Sequence, residues 1–491
     1  MTKRSIKKMN RITDLNPRIV WHYFEEICRI PHPSKREKKL IEYLIHFGHT
    51  HQLETLVDAA GNVLIRKKAT PGMERYASIA LQSHIDMVTE KNQDTVHDFE
   101  KDPVIPYIDG EWVKARGTTL GADNGIGVAA QLALLSSDDI SHGTIECLFT
   151  VEEETGLTGA LKFESGILQS KILINLDSEK DGSFCIGCAG GVDTVATWHY
   201  TTQPAVEDLF FFQVKVKGLQ GGHSGEDIDK DRGNAIKILS KYLWTINEKF
   251  PVMLQQLEGG NLHNAIPREA SAVAAVPYSQ KEEVRVYLNI FIKEIEDEFP
   301  EEKEFRMELE SESRMEWLMS KEDSDKLLNV LYACPHGVIK MSLDMEGLVE
   351  VSTNLASIKM DKTDQVIRVV TSQRSSVESE KQDIKNRLEA LFLLAGATVT
   401  HSDGYPGWKP NPHSLIAQRV VDSYRRLFGE QPTLCAIHAG LECGLLLEKY
   451  PDLDIISIGP TILDNHSPAE RVNIPSVGKF WEHLKDVLKM G

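Results

Sequence analysis

Two short polar segments, each just after an apolar run, constrain the fold of this chain most strongly. His84-Ile85-Asp86 follows Ile79-Ala80-Leu81, and the acidic residues 152–154 follow Cys147-Leu148-Phe149. Short apolar runs are typical of buried strands in an α/β sheet, and the ends of such strands often carry functional side chains. An imidazole and several carboxylates are groups that bind metal ions. The sequence therefore predicts an α/β sheet with a metal site at one edge.

The first part of the chain alternates helical and strand-like patterns. An amphipathic helix is predicted over residues 35–50. The predicted strands lie near residues 62–66, 77–81, 144–150 and 171–175. A further helix is expected after Asp123, where an Asp-Asn start signal precedes an Ala/Leu-rich stretch. This alternation indicates βα units on a mostly parallel sheet.

A different pattern begins near residue 206. A long strand pattern at residues 209–216 is followed by acidic, helix-favouring stretches at 282–304 and 376–394, which indicates α+β layers. The earlier alternation returns after residue 398. We therefore predict an α/β domain interrupted by an inserted α+β domain whose length allows two similar halves. The predicted bounds are 1–205 and 399–491 for the α/β domain and 206–398 for the insertion.

Composition and charge argue against several classes of function. The 491-residue chain is 41% hydrophobic and can bury large cores. Its formal net charge of −18 argues against nucleic acid and against an anionic membrane surface as partners. There is no run of 18 apolar residues for a membrane span. The basic residues among the first ten lack the apolar core of a secretion signal, and the helical pattern from Arg18 starts too early for a separate organellar address.

The seven cysteines are an odd number scattered along the chain, so they do not indicate a disulfide framework. We therefore predict a cytoplasmic protein. Cys185 and Cys188 have the spacing of a C-x-x-C motif, but a second pair for zinc and the Trp or Pro of a redox loop are missing. We interpret this spacing as coincidental.

Five side chains at predicted strand ends or in turns have the chemistry of metal ligands. Each is an imidazole or a carboxylate, and they are His84, Asp123, Glu154, Asp177 and His466. Any one of them alone is compatible with an ordinary surface or core residue. Together they would place several negative charges beside buried strands, where a bound cation is the natural stabiliser. Five such ligands suffice for two divalent ions that share a carboxylate.

Two acidic residues beside these ligands are candidates for assisting hydrolysis. Asp86 lies two residues beyond His84, so on an extended segment both side chains point to the same face. The Asp86 carboxylate can then fix the tautomer of the imidazole. Glu153 precedes the expected ligand Glu154 and is free to take a proton from water at the metal. A general base beside a Lewis acid indicates a hydrolase.

An ordered series of motifs resembles a known family. The motifs are S-H-x-D at 83–86, G-A-D-N-G-I-G at 121–127, E-E-x-G at 153–156, N-L-D-S-E at 175–179 and G-G-H-S-G at 221–225. This series resembles the M20 metallopeptidase family. Four more segments resemble the bacterial aminoacyl-histidine dipeptidases within it: I-P-H-P-S at 30–34, N-A-I-P-R-E at 264–269, Q-R-S-S at 373–376 and H-A-G-L-E at 438–442. The resemblance runs from about residue 18 to the C-terminus and implies a zinc-peptidase-like catalytic domain with an inserted lid domain.

The resemblance implies how the five ligands divide between two metal ions. His84 and Asp177 would bind one ion, Glu154 and His466 the other, and Asp123 would bridge them. Beside them, Asp86 would orient the imidazole and Glu153 would be the general base. The family has Asp-Glu-Glu where residues 152–154 of this chain are Glu-Glu-Glu. Because the first of these positions is not a ligand, the change leaves the implied site intact.

The resemblance also implies four substrate-binding residues. In the inserted domain His223 would polarise the scissile carbonyl and stabilise the oxyanion, while Asn264 and Arg374 would hold the substrate. Arg374 suits a C-terminal carboxylate because its guanidinium is an always-charged, bidentate fork; a surface salt bridge is the alternative. Gly440 would let backbone N–H groups approach the same carboxylate, with an ordinary turn glycine as the alternative.

The implied reaction is hydrolysis of dipeptides with free termini, such as β-alanyl-histidine, by water activated between two divalent metal ions. Zinc is the expected metal, with cobalt or manganese as alternatives, because nitrogen and oxygen ligands suit all three. The expected partner is a small peptide substrate, and a homodimer is favoured over a single chain.

Three alternatives to a metallo-dipeptidase are another activity on the same scaffold, a serine hydrolase and a non-catalytic binding module. An aminoacylase, a deacetylase or a tripeptidase could use the same scaffold. A serine hydrolase is disfavoured because Gly222-His223-Ser224-Gly225 is followed by Glu226, so the G-x-S-x-G motif fails. A non-catalytic binding module is disfavoured because all five ligands occur together with Glu153.

Overall fold

The structure is a computed structural model that describes residues 11–489; the basic N-terminal segment considered above as an address lies outside them. The eleven α-helices of the described residues are α1 (Arg18–Cys28), α2 (Lys38–Thr50), α3 (Ala122–Ser136), α4 (Thr158–Lys162), α5 (Ala235–Asn247), α6 (Lys281–Glu298), α7 (Lys321–Ala333), α8 (Glu378–Leu394), α9 (Leu415–Phe428), α10 (Glu442–Lys449) and α11 (Ile474–Val487). Short 3-10 helices cover Ile12–Asp14 and Tyr278–Gln280. Within residues 11–489, no helix combines the length and apolar character needed to cross a lipid bilayer.

Twenty-five strands complete the secondary structure of these residues. They are β1 (Glu54–Val57), β2 (Val63–Lys67), β3 (Ile79–His84), β4 (Pro106–Asp109), β5 (Trp112–Ala115), β6 (Ile145–Thr150), β7 (Ile172–Asn175), β8 (Ser183–Cys188), β9 (Gly190–His199), β10 (Thr202–Pro204), β11 (Leu209–Lys217), β12 (Gly222–His223), β13 (Met253–Gly259), β14 (Ala265–Ile266), β15 (Ala270–Pro277), β16 (Arg306–Ser311), β17 (Trp317–Met319), β18 (Gly337–Met341), β19 (Val349–Asp361), β20 (Val366–Ser375), β21 (Thr398–His401), β22 (Thr433–Ile437), β23 (Asp454–Ser457), β24 (Ile462–Leu463) and β25 (Arg471–Asn473).

The chain divides into two compact units. Unit 1 comprises Met1–Gly187, Pro410–Ala436 and Leu441–Gly491, and unit 2 comprises Cys188–Lys409 and Ile437–Gly440. The predicted boundaries at 205/206 and 398/399 differ from this division. The reason is that β9 pairs with both β20 and β21 in the main sheet of unit 2.

Unit 1 is built on an eight-stranded sheet with the order β1-β2-β6-β3-β7-β23-β8-β22. The four central strands β6, β3, β7 and β23 run parallel. The pairs β1–β2, β2–β6 and β23–β8 are antiparallel. Every residue of β3 and β6 is buried, as expected for parallel strands covered on both faces. The α/β class is confirmed, with the parallel arrangement confined to the centre of the sheet.

The parallel strands bring three of the predicted polar segments to one edge of the sheet. His84 is the last residue of β3, and β6 ends immediately before residues 151–154. β7 ends at Asn175, two residues before Asp177. Because β3 pairs in parallel with both neighbours, the carboxyl ends of these strands meet at the same edge.

Unit 2 contains an antiparallel sheet with the order β16-β11-β15-β13-β19-β20-β9-β21, and β18 pairs with β19 beside this path. Helices α5 to α8 belong to the same unit. Its apolar core includes side chains from both the sheet and the helices, such as Phe212, Leu239, Tyr242, Leu257 and Leu355, all with no exposed surface. The α+β layers expected for this region are therefore present, whereas its internal repeat and its role as a lid stay predictions.

Candidate active site

The five predicted metal ligands lie together in unit 1, although the chain supplies them from five separate segments. His84 ends β3, and Asp177 follows β7. Asp123 lies at the start of α3, where Asp123 and Asn124 have non-helical backbone angles. Glu154 follows β6, and His466 lies between β24 and β25. The folded chain thus brings together groups as far apart in sequence as residues 84 and 466.

The carboxylate of Asp123 lies between two imidazoles. Its Oδ1 is 3.1 Å from Nε2 of His84, and its Oδ2 is 3.3 Å from Nε2 of His466. Oδ1 of Asp177 lies 3.4 Å from the same Nε2 of His84. Oε1 of Glu154 lies 3.1 Å from Nε2 of His466. One carboxylate therefore lies between two imidazole–carboxylate pairs, which is the position that a bridging ligand would occupy.

These separations fit two metal ions. Nitrogen and oxygen ligands lie roughly 2.0–2.2 Å from a tetrahedral ion, so two ligands of one ion are about 3.3 Å apart. The four nitrogen–oxygen separations range from 3.1 to 3.4 Å. One ligand atom each from His84, Asp123 and Glu154 also lies within 4.8 Å of the other two. The donor set therefore fits divalent metal ions, and the assignment of each residue as a ligand stays a prediction.

The electrostatics of the cluster show a surplus of negative charge. Burial lowers the pKa of His84, but the Asp177 charge and bonds to Asp123, Asp177 and Asp86 outweigh it and hold the pKa well above its usual value. Bonds to Asp123 and Glu154 raise the pKa of His466 to about 11. Both shifts mean that a positive charge is strongly favoured at these positions. A divalent cation supplies that charge and leaves the imidazoles neutral, as metal ligands must be.

The carboxylate of Asp86 connects His84 to the acidic turn. Oδ1 lies 3.4 Å from Nδ1 of His84, which is also 3.1 Å from the backbone oxygen of Asp86. The carboxylate accepts hydrogen bonds from the backbone N–H groups of Glu153 at 2.9 Å and Glu154 at 3.2 Å, and from the hydroxyl of Ser34 at 2.7 Å. A proton on Nδ1 leaves Nε2 free to bind a cation. Asp86 therefore contacts the imidazole of His84 and holds the backbone of Glu153 and Glu154.

Glu153 has the electrostatic environment of a general base. Burial raises its pKa well above the usual value, the nearby charges of Asp177, Glu154 and Glu442 raise it further, and His84 opposes them. A carboxylate with a raised pKa holds a proton more strongly, which suits a group that accepts a proton near neutral pH.

Glu470 was not predicted from sequence, although it orders the loop that carries Asp123. Its Oε2 accepts backbone N–H bonds from Leu120 at 2.6 Å and Gly121 at 3.0 Å. Its Oε1 accepts from Ala122 at 2.8 Å and Asp123 at 3.3 Å. The residue is 2% exposed. A usable signal was its position four residues after His466, in the same segment.

Glu442 is a second acidic residue that the sequence reasoning left without a role. It is 1% exposed, and its Oε2 accepts bonds from Nε2 of Gln82 at 2.6 Å and the hydroxyl of Thr150 at 2.8 Å. Burial raises its pKa to about 7. Gln82 lies two residues before His84, and Thr150 ends β6. Glu442 thus supports the ends of the two strands that carry the site.

Arg374 and Gly440, which are predicted to bind the C-terminal carboxylate of the substrate, lie in unit 2. Arg374, in β20, is 6% exposed; one Nη atom donates to the hydroxyl of Tyr405 at 2.9 Å, while its Nε has no hydrogen-bond partner. This burial excludes the alternative of a surface salt bridge for Arg374. A Cβ at Gly440 would lie 2.7 Å from the Tyr405 ring, so the lack of a side chain is needed there. Tyr405 was not predicted, and it contacts both residues.

His223 and Asn264 lie beside each other in unit 2. His223, in β12, pairs with Ala265 in β14, and the N–H of Ser224 donates to the backbone oxygen of Asn264 at 2.8 Å. Burial and the charge of Arg374 lower the pKa of His223. The imidazole is therefore neutral at physiological pH and can donate one hydrogen bond.

His438 is a further polar residue of this part of unit 2. It is 6% exposed, its Nε2 lies 2.7 Å from the hydroxyl of Ser352, and its Nδ1 has no hydrogen-bond partner. Burial, with the charges of Arg374 and His223, lowers its pKa to about 3. The segment 438–442 was noted as a motif from sequence, but no role was assigned to this histidine.

The chain is similar to known peptidases. The sequence profile of peptidase family M20/M25/M40 matches residues 80–490. The cytosol non-specific dipeptidase of Escherichia coli (strain K12) is 42% identical over 482 residues, which cover 98% of this chain and 99% of that protein. The crystal structure of aminoacylhistidine dipeptidase from Vibrio alginolyticus has a TM-score of 0.92 at 42% identity and covers 98% of each chain.

A more distant structure shares the fold alone. It is a tripeptidase from Staphylococcus aureus, with a TM-score of 0.55 at 17% identity over 97% of this chain and 98% of that one. The family resemblance inferred from the motifs is confirmed by the profile match and by the 42% identity. The chain belongs to peptidase family M20/M25/M40.

Proposed function

We propose that this protein is a metal-dependent dipeptidase that hydrolyses dipeptides with free termini, including β-alanyl-histidine. The observation that carries the proposal is the position of the Asp123 carboxylate between two imidazole–carboxylate pairs at separations of 3.1 to 3.4 Å. The dipeptidase activity named for the Escherichia coli and Vibrio alginolyticus relatives supports it.

The five side chains would divide between two ions in the way that the resemblance implies. His84 and Asp177 would hold one ion, Glu154 and His466 the other, and Asp123 would contact both. Zinc is the proposed metal, with cobalt or manganese as alternatives, because these ligands suit all three. When bound, the ions act as Lewis acids toward the substrate carbonyl and make the attacking water more acidic.

Glu153 would carry the proton during the reaction. Its backbone N–H is fixed by the carboxylate of Asp86, and its raised pKa allows it to hold a proton between two steps. We propose that it takes a proton from the attacking water and passes it to the leaving amine. Asp86 keeps the proton of His84 on Nδ1, so that Nε2 faces Asp123 and Asp177.

Residues of unit 2 would recognise the substrate. The buried guanidinium of Arg374 has an Nε without a partner, and an unpaired buried donor is costly unless a ligand accepts from it. We propose that a substrate carboxylate fills this role, with Asn264 and the backbone near Gly440 as further donors. His223, neutral because of its lowered pKa, would donate a hydrogen bond to the oxygen that becomes negative during attack.

The first test is a substrate panel on the purified full chain. The protein is stripped with a chelator and reloaded with zinc, cobalt or manganese, then assayed with β-alanyl-histidine, leucyl-glycine, a tripeptide and N-acetylated amino acids. We expect activity on the free dipeptides that disappears on stripping and returns with metal. Activity restricted to N-acetylated substrates would support an aminoacylase or deacetylase instead, and activity restricted to the tripeptide would support a tripeptidase.

Neighbouring glutamates provide a matched pair of variants. Glu153→Gln should lower kcat by about 10²–10⁴-fold with unchanged metal content. Glu152→Gln, in the same acidic turn, should retain near wild-type kcat. Equal activity of the two variants would refute the role of Glu153 as the general base.

We also propose a cytosolic location, a small peptide as the partner and a homodimer. The name of the Escherichia coli relative supports a cytosolic location. The net charge of −18 argues against nucleic acid as a partner. A homodimer stays a prediction, and light scattering of the purified protein measures it directly.

A further inference from the structure

We propose that Cys185 and Cys435 form a modification site at which a hydroperoxide converts two thiols into a reversible disulfide. The inference is independent of the peptidase activity, because neither sulfur belongs to the proposed metal or substrate sites. Both residues are in unit 1, on the neighbouring strands β8 and β22.

The two sulfur atoms are already close. The Sγ atoms of Cys185 and Cys435 lie 3.2 Å apart, and all seven cysteines are present as thiols. A disulfide bond is about 2.05 Å long, so the sulfurs must approach by roughly 1.2 Å.

Access by solvent distinguishes Cys435 from the other cysteines. Cys435 is half-buried, whereas the other six are buried. An oxidant in solution therefore reaches Cys435 first, and Cys185 lies beside it as the second thiol. An accessible thiol next to a resolving cysteine is the arrangement of reversible redox sites.

The surroundings of Cys435 favour its thiolate. The hydrogen bond from Cys185, the hydroxyl of Ser183 at 3.3 Å and the charge of Lys180 lower the pKa of Cys435 to about 6, against the opposing effect of burial. The hydrogen bond with Cys435, followed by burial, raises the pKa of Cys185. The thiolate at Cys435 is the nucleophile that reacts with peroxides.

The chemistry balances with hydrogen peroxide as the oxidant. The Cys435 thiolate attacks one peroxide oxygen, the O–O bond breaks, and a sulfenic acid and one water form after proton uptake. The sulfur of Cys185 then attacks the sulfenic sulfur, loses its proton and expels a second water. Two thiols and one peroxide thus give one disulfide and two waters, and an added dithiol reverses the oxidation.

The C-x-x-C spacing noted in the sequence does not explain this pair. Cys185 and Cys188 lie three residues apart in β8, so their side chains leave opposite faces of the strand. The partner of Cys185 comes instead from β22, 250 positions along the chain. The earlier interpretation of the C-x-x-C spacing as coincidental agrees with this geometry.

The test is mass spectrometry of the intact, metal-loaded protein after treatment with one to a few equivalents of hydrogen peroxide. Free thiols are blocked, the protein is digested without reductant, and cross-linked peptides are identified. We expect a cross-link between the Cys185 and Cys435 peptides, and a fall from seven titratable thiols to five that dithiothreitol reverses. A cross-link between other cysteines, or no reversible loss of thiols, would overturn the proposal.

Two variants separate the steps. In Cys185→Ser, peroxide should leave a sulfenic acid on Cys435 that dimedone labels. In Cys435→Ser, all six remaining thiols should survive the same treatment. A Cys334→Ala control should still form the disulfide between Cys185 and Cys435. Dimedone labelling at a cysteine other than Cys435 would refute the order of events. Because the wild-type cross-link needs no variant, the proposal is testable even where a substitution prevents folding.

Discussion

Replacing Glu470 by glutamine tests how the loop that carries Asp123 is held. The carboxylate accepts four backbone N–H bonds, two on each oxygen, from Leu120, Gly121, Ala122 and Asp123. In Glu470→Gln one oxygen becomes an amide nitrogen that faces two N–H donors. Each buried donor without an acceptor costs about 1–3 kcal/mol. Since the loop can relax partly, we expect a loss of about 3 kcal/mol in the free energy of unfolding.

The same substitution should weaken metal binding. Groups that orient a ligand typically contribute about 10–100-fold to metal affinity, so the zinc affinity of Glu470→Gln should fall within that range. Urea denaturation gives the stability change, and competition with a chromophoric chelator gives the affinity. Glu482→Gln serves as the control, because that side chain is 59% exposed and pairs only with Lys485 among the described ion pairs. Wild-type stability together with wild-type zinc affinity in Glu470→Gln would refute the reasoning.

Three further predictions follow from the site and the core. Asp86→Asn should lower zinc affinity about 10–100-fold and reduce kcat, measured by chelator competition and steady-state assay; an unchanged affinity would show that His84 is oriented otherwise. Zinc at about 100 times its dissociation constant should stabilise the folded protein by about 2.7 kcal/mol, measured as a rise in the urea midpoint; no rise would argue against a resident metal. Burial lowers the pKa of His483 to about 4. Between about pH 6.5 and pH 4 its imidazole is therefore protonated in the unfolded chain but neutral in the folded protein. Stability should fall by about 1.4 kcal/mol per pH unit down to about pH 4, and His483→Gln should lessen that slope in urea titrations; equal slopes would contradict the assignment.

The central fold could be predicted because its signals are local. β3 and β6 are short apolar runs buried along their whole length, and the polar residues that follow them had to emerge at the sheet edge. The helix after Asp123 could be predicted equally well, because its Asp-Asn start signal precedes a long apolar stretch. The same reasoning predicted that His84 and Glu154 lie close together, as they do in the structure.

The sequence could not predict contacts between segments that lie far apart along the chain. Glu470 bonds to backbone groups about 350 positions away, and Glu442 bonds to Gln82 across 360 positions. A backbone N–H carries no side-chain signature, so its acceptor cannot be recognised from residue type. The assignment of β9 to the sheet of unit 2 could not be predicted either, because it depends on pairing with β20 and β21, which lie far along the chain.

The five candidate ligands also imply an order of events while the protein is made. His84, Asp123, Glu154 and Asp177 are synthesised early, whereas His466 and Glu470 emerge only after the whole of the segment Cys188–Lys409. A nascent chain therefore contains the carboxylates of Asp123, Glu154 and Asp177 before His466 and Glu470 have been synthesised. Because domains fold as the ribosome releases them, the larger part of unit 2 has time to fold before the second group of ligands is complete. With the proposed ligands, metal loading would be a late step of biogenesis, and a chain that stalls after residue 409 would hold its acidic residues without His466 and Glu470.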